Sequence, residues 1–264
     1  MKKRILALTI ALLAVSSLGF SNTITFRMNY FFPRAQYPAD AAGRLGDSLW
    51  KIEFDNMNFT RSNFQNSSFG LSYDVLLTQH SSFMISIDAY SKSKSGYYKD
   101  YLGFIYGDYL WALPSRYQDR DTFSLSHTMS LSITPVQLTF KITPFGRRGK
   151  FIPYVGGGAG VYFWSARLFG EMVDFSIDYG DDPAIPIYAV EDIDLREGQR
   201  LGKVALGWHV LGGFMFPVAN RLTIDIEFKY NNAKGKITEM FFEKLNDPFD
   251  LSGFQMSLGL NYWF

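Results

Sequence analysis

From Arg221 to Tyr230 the sequence alternates without a break: Leu222, Ile224, Ile226, Phe228 and Tyr230 are interleaved with Arg221, Thr223, Asp225, Glu227 and Lys229. A period of two places every apolar side chain on one face of a strand and every polar one on the other, which no helix can do. The last residues repeat the pattern, with Phe254, Met256, Leu258, Leu260, Tyr262 and Phe264 set between Gly253, Gln255, Ser257, Gly259, Asn261 and Trp263. Shorter alternating runs cover Ile24 to Tyr30, Phe69 to Leu77, Phe83 to Ala89, Phe123 to Ile133, Val136 to Ile142 and Val204 to Phe216. The chain of 264 residues is therefore read as all-β.

Two details modify the pattern. Between Ile133 and Val136 the apolar residues move from odd to even positions around Pro135, which predicts a β-bulge within one long strand. In the run Phe151 to Trp164, Val155, Ala159, Val161 and Phe163 share one face. Gly156, Gly158 and Gly160 then lie on the other, leaving room for long side chains opposite.

Composition excludes several classes. The chain is 47% hydrophobic, but its mean hydropathy is −0.05. Polytopic helical membrane proteins need roughly 20 consecutive apolar residues per span, and no such series is present. Its 25 Phe, 16 Tyr and 5 Trp are far too many for a disordered chain. With no Cys there are no disulfides, thiolate metal sites or thiol nucleophiles. A net charge of +1 lacks the basic footprint of nucleic-acid binding.

At the N-terminus, Lys2, Lys3 and Arg4 precede an apolar run from Ile5 to Val15 and the small residues Ser16, Ser17, Gly19 and Ser21. That order is a cleavable secretory signal peptide over residues 1–21, followed by one domain over 22–264. Removing the three bases takes the formal charge from +1 to −2.

Eight strands are expected, at about 23–33, 66–78, 83–93, 122–144, 151–165, 202–217, 221–230 and 249–264. Short connections at Gln79 to Ser82, Phe145 to Lys150 and Val218 to Asn220 alternate with four long ones. An outer-membrane β-barrel has this asymmetry, with short turns on the periplasmic side, long loops outside and an even strand number. The polar face points the same way. It holds Arg27, Asp74, Asp88, Lys141, Lys203, His209, Arg221, Asp225, Glu227 and Lys229, too many ionisable groups for a dry soluble core but suited to a polar lumen. The expected fold is thus a transmembrane, antiparallel, up-and-down barrel. Eight strands just allow side chains to fill the interior. A ten-stranded alternative arises because Trp50, Ile52 and Phe54 alternate weakly within Leu49 to Phe59 and could add a hairpin strand. Phe26, Tyr30, Tyr154, Trp208, Tyr230 and Tyr262 are candidates for the interfacial aromatic girdles.

The C-terminal Leu258-Gly259-Leu260-Asn261-Tyr262-Trp263-Phe264 resembles the β-signal read by the outer-membrane assembly machinery, with Leu258, Leu260, Tyr262 and Phe264 as its apolar positions. The run Pro153-Tyr154-Val155-Gly156-Gly157-Gly158-Ala159-Gly160-Val161-Tyr162 resembles the glycine-rich strand of small outer-membrane barrels of the OmpA/OmpW-like superfamily. That resemblance implies an outer-membrane location in a Gram-negative-type bacterium, contact with outer-membrane lipids, and dependence on the barrel assembly machinery and periplasmic chaperones. It also implies a non-enzymatic envelope protein without a cofactor, with surface loops and limited passage of small solutes. An OmpW-like transporter of small hydrophobic molecules is the alternative.

Three histidines bear on a lipid-modifying reading. His80 falls in a short turn, and His209 falls on the polar face within reach of Asp225 or Glu227. His127 shares the outward phase of Leu125, Met129 and Leu131, and the phase change at Pro135 also allows it to lie above the membrane. Lipid A deacylases of the PagL type use an outward His with a Ser two residues on. Here that position is Met129, while Ser126 and Ser130 point the other way. The long connections carry charge and aromatics without a metal motif. Nine acids and three bases lie between Ala166 and Leu201 in no EF-hand spacing. Tyr97, Tyr98, Tyr101, Tyr106, Tyr109, Tyr117 and Trp111 crowd the connection before Phe123.

Overall fold

In the computed structural model the first strand, β1 (Asn22–Pro33), pairs with the last, β12 (Gly253–Trp263), in unbroken antiparallel register from Thr23 opposite Trp263 to Pro33 opposite Gly253. This pairing closes a ring. Around it run β2 (Asn66–Leu76), β3 (Ser81–Tyr106), β5 (Phe123–Ile142), β6 (Ile152–Asp174), β9 (Val204–Ala219) and β10 (Leu222–Gly235), each antiparallel to its neighbours. Closure leaves no edge in the ring, so its backbone donors and acceptors pair within the sheet, as a hydrocarbon surround demands. Four shorter strands lie above the ring: β4 (Tyr109–Pro114), β7 (Tyr188–Ile193), β8 (Gln199–Leu201) and β11 (Phe249–Asp250). The structure describes residues 22–35, 49–147, 149–194, 199–236 and 248–264. The expected signal segment lies outside them.

Both described termini and the described residues of the turns between β2 and β3, β5 and β6, and β9 and β10 gather at one end, and the described parts of the long connections lie at the other. There the upper part of β3 pairs with β4, β4 with β7, and β7 with the end of β6. The long connections are therefore partly sheet. The tyrosine-rich segment packs on the acidic one through Tyr101 with Phe175 and Tyr188, and Trp111 with Tyr179.

Leu49 to Asn56, expected as a possible hairpin strand, is instead a helix, α1. Its buried residues are Leu49, Trp50 and Glu53, and Met57 just beyond it is also buried. These positions follow the three-and-four spacing of a helical face. Lys51 and Asp55 form an i,i+4 ion pair of 2.7 Å on the exposed side. The weak alternation of Trp50, Ile52 and Phe54 lost to this longer period.

The bulge expected at Pro135 is also absent. Ile87 pairs with Val136 and Tyr90 with Ile133 in one register, and on the other side Val136 pairs with Val161 and Ile133 with Trp164 in another single register. Odd-numbered residues of β5 face inward along the whole strand. What changes at Pro135 is the medium. Below it the outward residues are Val136, Leu138, Phe140 and Ile142, all exposed, and the inward ones are Gln137, Thr139 and Lys141. Above it the outward residues are Ser124, Ser126, Thr128, Ser130, Ser132 and Thr134, and the buried inward ones are Leu125, Met129, Leu131 and Ile133.

The same exchange occurs on four further wall strands. Outward Phe69 gives way to Ser67 on β2, Ala89 to Ser91 on β3, Phe163 to Ser165 on β6, and Tyr230 to Asn232 on β10. Ser91, Ser132 and Ser165 are cross-strand partners, which fixes the height of that line. Below it β6 from Val155 to Phe163 and β10 from Leu222 to Tyr230 each run nine residues, within the roughly 9–11 that a tilted strand needs to cross hydrocarbon.

Candidate functional site

The lower lumen is an ion-paired block. Arg27 Nη1 donates to Glu227 Oε1 at 3.2 Å, and its Nε lies 3.9 Å from Asp225 Oδ2. Tyr154 OH donates to Asp225 Oδ1 at 2.6 Å and lies 3.1 Å from Glu227 Oε2. Lys141 Nζ sits 3.4 Å from Asp74 Oδ2 and 4.2 Å from the centre of the Tyr154 ring. Lys229 Nζ pairs with Asp88 Oδ2 at 2.6 Å and donates to Gln137 Oε1 at 3.0 Å. Asn29 and Asn231 extend this set, Asn29 donating to Asp88 and Asn231 accepting from Gln137. All these charged side chains are buried. Such groups are tolerable in low dielectric only when each finds an opposite charge and further hydrogen bonds.

Glycine makes the room. Arg27 stands opposite Gly70 and Gly259, Asp88 opposite Gly70, Lys141 opposite Gly156, and Gln137 opposite Gly160. A Cβ at Gly156 would meet the Phe140 carbonyl oxygen at 2.8 Å and Lys141 Cγ at 3.1 Å. Each long polar side chain thus lies flat across a position where its neighbour strand has no side chain.

Several expected positions differ. Lys203 and Arg221 are exposed and lie outside the lumen, because each falls beyond the end of a strand, where alternation no longer sets direction. Tyr154, a candidate girdle residue, is buried inside against Asp225. His209 does face inward, but its Nε2 lies 2.8 Å from Thr139 Oγ1 instead of forming an ion pair with Asp225 or Glu227. His80 is exposed in its turn, and Leu258, Leu260, Tyr262 and Phe264 are exposed on the outer wall. Phe26, Tyr30 and Trp208 are exposed outward as well.

His127 points inward, not to lipid, since at its height inward is the apolar side. Its Nε2 lies 2.7 Å from Glu53 Oε2 on α1, and the Tyr98 and Phe59 rings pack on it edge-on. Burial raises the Tyr98 phenol above its ordinary pKa, and its oxygen accepts from the Val173 N–H. This pair belongs to an apolar plug. Trp50 of α1 stacks on Phe249, which stacks in turn on Trp164 of β6, with ring centres 4.9 and 5.3 Å apart. Trp50 Nε1 donates to the Asp250 carbonyl, and Tyr90 OH donates to the Phe64 carbonyl. Phe31, Met129, Leu131 and Ile133 complete the packing below. Between plug and polar block lies a cavity of about 20 Å³ lined by Asp88, Tyr90, Tyr162 and Asn231 among others, enough for about one water molecule.

Arg147 was not expected. It lies in the turn between β5 and β6, donates to Ser82 Oγ at 2.7 Å and stacks over Trp263 at 5.3 Å, closing the lower end beside Lys141 and Asp74. Glu53 and Phe249 are equally unmarked in the sequence, and Trp50 is marked there only as part of a possible hairpin strand. For Glu53 the available signal was its three-residue offset from Trp50 on one helical face.

No family model matches the sequence, and no curated protein matches it. Among solved structures the chain is similar to Neisserial surface protein A, with 11% identity over 93% of this chain and 97% of that one and a TM-score of 0.43. It is also similar to Escherichia coli outer membrane protein W, with 13% identity over 94% of this chain and 100% of that one and a TM-score of 0.41. A third is Ail of Yersinia pestis, with 11% identity over 92% and 97% and a TM-score of 0.38. By its own pairing and polarity, the chain is a closed antiparallel β-barrel that is apolar outside and ion-paired inside, with a hydroxyl-covered wall where it rises above its apolar belt.

Proposed function

We propose that this protein is an integral outer-membrane barrel of eight wall strands with a structural envelope role, carrying no catalytic centre and displaying a rigid lobe of sheet on the cell surface. The observation that supports this most directly is the exchange of polarity along five of the wall strands. An apolar outer belt over an ion-paired interior suits hydrocarbon outside, and a hydroxyl-covered wall over an apolar core suits water outside.

Filling of both halves of the interior favours a closed barrel over a pore. Purified protein in detergent is expected to give a β-type circular dichroism spectrum, to migrate faster unboiled than boiled, and to produce no stepwise conductance in planar bilayers. Solubility without detergent would remove the membrane reading, and steady conductance would remove the closed lumen. Lipid A mass spectra identical with and without expression are expected, since His127 is enclosed by Glu53, Tyr98 and Phe59.

A further inference from the structure

At the line where outward residues turn from apolar to hydroxyl, the wall is concave where β6 meets β9. The pairing of β6 with β9 ends at Phe163 opposite Val204, and that of β6 with β8 begins at Ala166 opposite Leu201. Between them Gly202 takes a φ of +95°, a conformation that suits glycine. A Cβ there would also meet the Trp164 ring at 2.6 Å. The register is the same on both sides, and across Gly202 and Lys203 the pairing thins to one bond from the Trp164 N–H to the Lys203 carbonyl. A notch of about 510 Å³ lies there on the barrel wall.

Its lining is chemically divided. Thr134 and Ser165 supply hydroxyls, Ser132 supplies a third that donates to the Tyr90 carbonyl at 3.4 Å, Lys203 supplies an exposed cation, and Phe163 forms an apolar floor. Ser132 is directly opposite Ser165, and Thr134 is opposite Phe163, so the hydroxyls converge from two adjacent strands. No carboxylate lines the notch, and among the described residues Lys203 has no ion-pair partner. Immediately below, Val204 and Leu206 on β9 and Val136 and Leu138 on β5 are exposed apolar wall. A cation and several hydroxyl donors above an apolar slope match an amphiphile whose head carries a phosphate, with its oxygens as acceptors and its chains lying down the belt.

We propose that the notch at Lys203 is a lipid site, holding the phosphate of an outer-leaflet phosphoglycolipid against Lys203 and the Thr134 and Ser165 hydroxyls while an acyl chain lies along Leu206 and Leu138. The site rests on the membrane reading above, because it needs the hydrocarbon boundary to lie at Phe163.

The test is native mass spectrometry of the detergent-folded protein with lipid A, with dephosphorylated lipid A, and with inorganic phosphate alone. The expected result is a single retained lipid A, at least fivefold weaker binding of the dephosphorylated form, and little phosphate retained alone. Lys203→Gln should reduce lipid A binding about fivefold, the factor corresponding to about 1 kcal/mol for one charge at a lipid surface. Lys203→Arg should retain binding, and Lys150→Gln at the opposite end should leave it unchanged. Equal binding by wild type and Lys203→Gln, or equal binding of the dephosphorylated lipid, would overturn the site. Binding of inorganic phosphate as tightly as lipid A would make it a free-phosphate site and overturn the lipid assignment. Unboiled gel migration of each variant reports folding separately. Failure of the membrane reading would show as solubility without detergent, whereas failure of the notch alone would leave both the detergent requirement and the migration intact.

Discussion

His127 and Glu53 stand 74 residues apart in sequence, yet Nε2 of one lies 2.7 Å from Oε2 of the other with both side chains buried in an otherwise apolar plug. The pair ties α1 to the wall at β5. Glu53→Ala would leave a buried imidazole without its partner, at a cost of about 1–3 kcal/mol, whereas Glu53→Gln keeps a hydrogen-bonding group there. Amide exchange measured on α1 should therefore accelerate strongly in the first variant and only slightly in the second. Unchanged exchange in Glu53→Ala would mean that the aromatic stack alone holds the helix.

Arg27 is the cation between Asp225 and Glu227. Its replacement by Met leaves two carboxylates close together with Tyr154 as their nearest neutral donor. The expected loss is about 3–5 kcal/mol, the usual result of removing one side of a buried pair. The temperature at which the unboiled gel band converts to the unfolded position should fall clearly. A combined Arg27→Met and Glu227→Met variant should recover part of that loss, because fewer uncompensated charges remain.

The glycines of β6 are not equivalent. At Gly158 a Cβ would press on the backbone of Leu138 and lie 3.0 Å from Thr139 Cα, and backbone cannot swing away as a side chain can. Gly158→Val should therefore prevent the pairing of β5 with β6 and abolish the fast-migrating folded band. Gly212→Ala on the outer wall would meet only ordinary contacts at 3.7 and 3.9 Å and should fold normally. A folded Gly158→Val protein would show that these two strands can separate without cost.

The boundary at Pro135 can be tested with one strand. Leu138 and Ser130 both face outward on β5, on opposite sides of that line. Leu138→Lys should cost about 2–4 kcal/mol if it lies near the middle of the hydrocarbon, while Ser130→Lys should stay within about 0.5 kcal/mol as a surface change. Equal effects, measured by denaturant unfolding in lipid vesicles, would misplace the membrane.

Wall strands were legible because alternation is local. A residue such as Phe228 or Leu260 declares its face from its two neighbours, so β10 and β12 could be placed without any knowledge of their partners. Arg221 and Lys203 were misplaced for the complementary reason: each sits one residue beyond a strand, where backbone direction depends on the turn. The apparent phase change at Pro135 was a true signal attributed to the wrong cause. A shift of apolar residues between odd and even positions arises either when the backbone slips or when the two faces exchange environments, and only the register of β5 against β3 and β6 distinguishes them. The same ambiguity bears on His127, for which alternation alone leaves open an outward face or a place above the membrane.

The sequence by itself determined the all-antiparallel wall, its short and long ends, and the polar character of the lower lumen, because a period of two and the lengths of connections are properties of neighbouring residues. Only the tertiary structure decided which charge meets which, that Leu49–Asn56 is a helix inserted as a plug, and that the barrel continues above its apolar belt with inside and outside exchanged. Those features depend on contacts between residues far apart in the chain and on the medium at each height. A linear pattern records that a face is apolar, but not whether lipid or a neighbouring side chain covers it.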